Sequence, residues 1–156
     1  MGTSTDAILA YGYDLGEWNK IQGAGELGED LTLPWLDDDS DDGYREQAER
    51  HLLNASGFTE TWETSQGPGY YSREEAAKAA LGVQFETYCS DRAPMEILAA
   101  KVITVSRGDC EVLDLAALMA EPAEHGWGDK LRQACQTLGI TPTQEQPSWL
   151  LVSYWG

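Results

Sequence analysis

SWLLVSYW, residues Ser148–Trp155, is an apolar run that follows Pro147. Successive residues of an extended strand point to opposite sides. Trp149, Leu151 and Ser153 therefore face one way, and Leu150, Val152 and Tyr154 the other. With apolar groups on both sides, the segment is expected at a central position in a sheet. Residues 7–14, AILAYGYD, have the same character: Ile8, Ala10 and Gly12 lie on one face, Leu9, Tyr11 and Tyr13 on the other. This too is expected to be an interior strand.

Further strands are expected where apolar and polar residues alternate. Residues 83–89 set Val83, Phe85, Thr87 and Cys89 against Gln84, Glu86 and Tyr88, and Val102, Ile103, Thr104 and Val105 are mostly β-branched. Residues 58–64 alternate Phe58, Glu60 and Trp62 with Thr59, Thr61 and Glu63, the pattern of a half-buried strand. Residues 95–100 fit either a strand or a helical turn.

The helical signals lie between these runs. Ala48, His51, Leu52 and Ala55 form one stripe of a helix over residues 44–54, with Gly57 beyond its end. After Gly67, Pro68 and Gly69, Ser72 and Glu75 have the spacing of a capping box for an alanine-rich helix running to Leu81, with Gly82 as its stop. Asp114 is placed to cap a short helix through Met119 that Pro122 ends. Asp129 is placed to cap another, in which Leu131, Ala134, Cys135 and Leu138 share a face before Gly139. The order predicts an α+β protein: a single domain over residues 1–156, with a mixed sheet of about five strands packed against about four helices.

Charge is the second dominant feature. The 156 residues carry 27 acidic and 10 basic side chains, a net charge of −17, and the imbalance is uneven. Residues 1–63 hold 15 acids against 3 bases, and residues 64–156 hold 12 against 7. So few cations argue against direct contact with nucleic acid or an anionic membrane, because phosphate contacts require Lys and Arg. Hydrophobic content of 42%, with 6 Trp and 7 Tyr, supports a folded chain. Cys89, Cys110 and Cys135 are odd in number and widely spaced, which favours reduced thiols in a cytoplasmic protein over disulfides or zinc. The N-terminal residues lack a basic, signal-like leader, and no apolar run is long enough to span a bilayer.

The acidic excess peaks at residues 37–43, DDDSDDG, just before the first expected helix. Three readings compete. Asp37, Asp38, Asp39, Asp41 and Asp42 form a binding surface for a basic protein partner, since clustered carboxylates build a field that steers cationic surfaces. Alternatively, residues 38–49 are an EF-hand-like calcium loop, with Asp38, Ser40, Asp42 and Glu49 as oxygen ligands and Gly43 at the sharp turn. Arg45 occupies a position that such loops give to an apolar residue, and Pro34 spoils a long incoming helix. The bland reading is an exposed loop whose aspartates suit a helix N-terminus. No other cofactor is expected.

Catalytic signals are sparse. His125, in Glu124-His125-Gly126-Trp127, is the better placed of the two histidines to act with a cysteine, giving a small Cys/His enzyme as a further alternative. His51 sits on an apolar stripe, where a structural role is the norm. GAGELG, residues 23–28, follows no expected strand and carries acids where phosphate would lie. Among the many aromatics, Tyr70 and Tyr71 beside Gly69 are candidate interface anchors.

Several segments, AYGYDLG (10–16), FTETWET (58–64), VITVSRGD (102–109), EHGW (124–127) and GITPTQEQPSWLLVSYWG (139–156), resemble small acidic proteins of unassigned function encoded by actinobacteria and their phages. The resemblance implies a phage or host cytoplasm, where such proteins act by binding and inhibiting or redirecting host factors. A non-catalytic role, engaging a basic surface of a host or phage protein, is the expectation, with a DNA-handling protein met by DNA mimicry as one form of it. No functional residue is carried over.

Overall fold

The computed structural model describes residues 4–25 and 31–156. Sequence readings on residues 1–3 and 26–30, including half of the GAGELG run, lie outside them. Among the described residues the elements run β1 (Thr5–Gly16), α1 (Tyr44–Ala55), α2 (Tyr70–Leu81), β2 (Gln84–Ser90), β3 (Ala93–Ser106), α3 (Leu115–Glu124), α4 (Trp127–Leu138) and β4 (Ser148–Trp155).

β1 is central, antiparallel to β3 on one side and to β4 on the other. The first half of β3 continues onto β2 through a hairpin that turns at Asp91 and Arg92. β2 then meets the end of β4 in a short parallel contact, Cys89 opposite Tyr154 and Ser90 opposite Trp155, which closes the sheet on itself in the order β1-β3-β2-β4. Cys89 has φ 75°, a left-handed conformation rare for a residue with a Cβ, at the point where β2 swings towards β4.

Both faces of β1 are covered. On the concave side, Ile8, Ala10, Ile97 and Ala99 form a small core flanked by Tyr88, Val102, Leu150, Val152 and Tyr154. On the convex side, Tyr13, Leu15, Phe85 and Leu98 pack against Ala48 and Leu52 of α1 and against Leu131, Ala134, Cys135 and Leu138 of α4. Between Tyr11 and Gly12 the register with β3 slips by a residue. A Cβ on Gly12 would run into the carbonyl oxygen of Leu98 and lie 2.8 Å from Ala99 Cα, so only glycine fits this approach.

The expected strand at residues 58–64 does not form, so the mixed sheet has four strands instead of five. Thr61 and Thr64 bond to each other's backbone N–H groups instead, at 3.1 and 3.3 Å, and close a local turn. Such side-chain bonds compete with ladder formation. Residues 95–100 are strand throughout. Ser72 does not cap α2: the helix begins two residues earlier, after Gly69 at φ 92°. α4 likewise starts after Gly126, leaving Asp129 in its first turn, and α3 runs through Pro122 to Glu124. Asp114 does cap α3, accepting from Ala117 N at 3.0 Å. β4 is not fully interior: its outward face is open, with Leu151 78% exposed.

Two measurements test this layout. Gly12→Ala should lower stability by roughly 3 kcal/mol in urea unfolding, the upper range for overpacking; an unchanged midpoint would contradict the close strand approach. A chain ending at Pro147 loses the whole of β4 and is expected to show no cooperative melt.

Candidate functional site

The acidic loop is held from both ends. Upstream, the Trp35 indole N–H donates to Leu138 O at 2.8 Å, and its ring stacks on His51. His51 Nε2 lies 3.1 Å from Thr137 O, so this histidine is structural. Downstream, one side chain of α1 bolts the loop: Gln47 Oε1 accepts from Asp37 N at 2.8 Å, while its Nε2 donates to Asp37 O at 3.0 Å and Asp42 O at 2.8 Å. Within the loop, Asp39 N donates to Asp37 Oδ1 and Asp42 N to Ser40 Oγ.

Asp37, Asp38, Asp39, Asp41 and Asp42 are all exposed. None takes part in the six ion pairs found among the described residues. The proposed calcium ligands are not brought together: Glu49 turns away to Lys78, with Oε1 and Nζ 2.5 Å apart. Among the described residues, no group of three or more His, Cys, Asp or Glu is arranged to hold a metal.

The two tyrosines part ways. Tyr70 is 3% exposed and its hydroxyl donates to Glu74 at 3.3 Å, so it is a core residue and not an interface anchor. Tyr71 is 63% exposed and stacks on Trp62, itself 44% exposed, with ring centres 5.4 Å apart. Trp62 was hidden in the sequence by the strand-like alternation around it.

No hydrogen bond joins His125 to a thiol among the described residues; its ring stacks on Trp127 instead. Burial pushes the Cys135 thiol up to about 12, leaving it protonated at neutral pH.

A polar network that the sequence did not signal lies directly beyond the acidic loop. A cleft of about 550 Å³ opens between the first turn of α1, the segment after β1, and the β2–β3 hairpin, with Gly43 at its edge and Glu96 in its wall. Arg45 Nη1 donates to Thr87 Oγ1 at 2.6 Å, and the Thr87 hydroxyl donates to Glu96 Oε1 at 2.9 Å. Thr87 and Glu96 sit opposite each other on β2 and β3. Glu96 is 8% exposed and the one buried charged or polar residue among those described; its Oε2 has no partner. An unmet buried polar atom costs about 1–3 kcal/mol, and more when charged. Burial raises the Glu96 carboxyl above its ordinary value, opposed by the Thr87 bond and Arg45 and reinforced by the charges of Glu46 and Glu86. Burial also raises Glu86, again opposed by Arg45.

Fold and site together define an acidic α+β protein with a fixed carboxylate loop beside a cleft that contains a buried glutamate. No protein-family model matches the sequence, and the comparisons with curated proteins and with solved structures found no match.

The raised Glu96 carboxyl has a measurable consequence. The folded state holds this proton more tightly than the unfolded chain, so the contribution is complete below the ordinary value of 4.5 and is lost as pH rises through the folded value. Glu96→Gln, neutral at every pH, should melt above the parent at neutral pH and converge with it below about pH 4.5. A gap that does not depend on pH would mean that the carboxyl is not perturbed by burial.

Proposed function

We propose that this is a non-catalytic binding protein that uses the acidic loop to engage a basic surface on another protein. The observation that carries the reading is a loop of five exposed aspartates, fixed by Gln47 and free of any ion-pair partner among the described residues. Carboxylates already matched by neighbouring cations would project little field. Unmatched ones attract and orient a cationic partner over roughly the 8 Å screening length at physiological salt. Proteins that grip DNA present such basic surfaces, so the partner class favoured is a DNA-handling protein, which the acidic face inhibits by occupying its phosphate-binding surface as a DNA mimic. The resemblance to acidic actinobacterial and phage proteins fits a cytoplasmic setting of this kind. Among the described residues no helix is long and apolar enough to cross a membrane.

Affinity capture from actinobacterial lysate at low and high salt is the direct test, run alongside a variant with Asn at positions 37, 38, 39, 41 and 42. A basic protein retained at low salt, released at high salt and lost by the variant is the expected result. Retention indifferent to both salt and substitution would remove the acidic loop from the mechanism.

A further inference from the structure

We propose that the cleft behind the acidic loop receives one arginine side chain of the partner, whose guanidinium donates to the free Oε2 of Glu96. This inference rests on the basic-partner reading and adds to it a specific anchoring point.

The loop alone would not justify a site. The independent observation is Glu96: one oxygen is satisfied by Thr87, while the other is enclosed and unmatched in the wall of a cleft. Glu17 and Glu46 line the same cleft, so three carboxylates face two guanidinium groups, Arg45 and Arg92. Arg45 Nη1 is taken up by Thr87, and Glu96 Oε2 is left without a partner. The balance favours a cation as occupant. Arginine suits the geometry better than lysine, because a planar fork can donate to two acceptors at once and stack on an aromatic ring. Tyr44, half-buried in the wall, offers such a ring. Gly43, immediately after Asp42, forms the edge of the cleft, so a chain drawn in by the loop arrives at its mouth.

N-acetylarginine methylamide and its uncharged isostere N-acetylcitrulline methylamide are suitable probes, titrated into protein labelled at glutamate side-chain carbons and followed by NMR. The Glu96 carboxyl resonance is identified by its absence from Glu96→Gln. The arginine probe is expected to shift that resonance and to bind Glu96→Gln at least roughly tenfold more weakly, the loss typical of a charge-assisted bond. Citrulline should leave the resonance unmoved. The five-Asn loop variant should retain the arginine response, because the cleft itself is intact. Equal response to citrulline, equal affinity of Glu96→Gln, or no shift of the resonance at any probe concentration would each overturn the proposal. Arginine binding at Glu96, in a protein whose partner ignores the loop substitutions, would uphold the cleft and remove the loop reading.

Discussion

Four strands can close on themselves only if little lies between them, and that constraint governs the rest of the molecule. Ala10, Gly12 and Ala99 keep the concave side thin, and Gly12 lets β1 press against the β3 backbone at Leu98. The register slip beside Gly12 shifts which β3 residues face inward, so Ala99 and Val102 reach the same core from either side of it. Because the concave core is small, most apolar burial falls to the convex side, where α1 and α4 cover the sheet. That packing fixes α1, and α1 in turn fixes both the acidic loop and one wall of the cleft.

Charge is arranged differently around this frame. Asp14 is well supplied, accepting from Gly16 N, Lys20 Nζ and the Tyr88 hydroxyl at 2.6–2.9 Å, and its carboxyl is lowered despite its partial burial. The 37–42 aspartates join no ion pair among the described residues, and Glu96 has half of what a buried carboxylate needs. Asp14 is thus compensated within the scaffold, while the loop aspartates and Glu96 Oε2 are not.

Much of the scaffold was legible from the sequence. Two-sided apolar runs marked β1 and β4, and the spacing of Leu131, Ala134, Cys135 and Leu138 gave the buried face of α4. The misreadings share a cause: a local pattern overruled by bonds formed elsewhere. Thr61 and Thr64 closed a turn across an alternating run, and glycines in left-handed conformations began α2 and α4 ahead of the polar residues that resembled caps. The acidic loop was visible as composition. The Glu96 network was not, because Arg45, Thr87 and Glu96 meet only when α1 crosses the β2–β3 hairpin. Tyr70 and Tyr71 are adjacent and chemically alike, and only the helix phase decides that one is core and the other surface.

Gln47 is uncharged, and so are the backbone groups it grips at Asp37 and Asp42. The fastening therefore has no ionic component for salt to weaken. Ionic strength acts on how far the loop's field reaches and leaves its shape alone, so a partner of the kind proposed would meet an already ordered epitope, and little conformational freedom would be surrendered on docking.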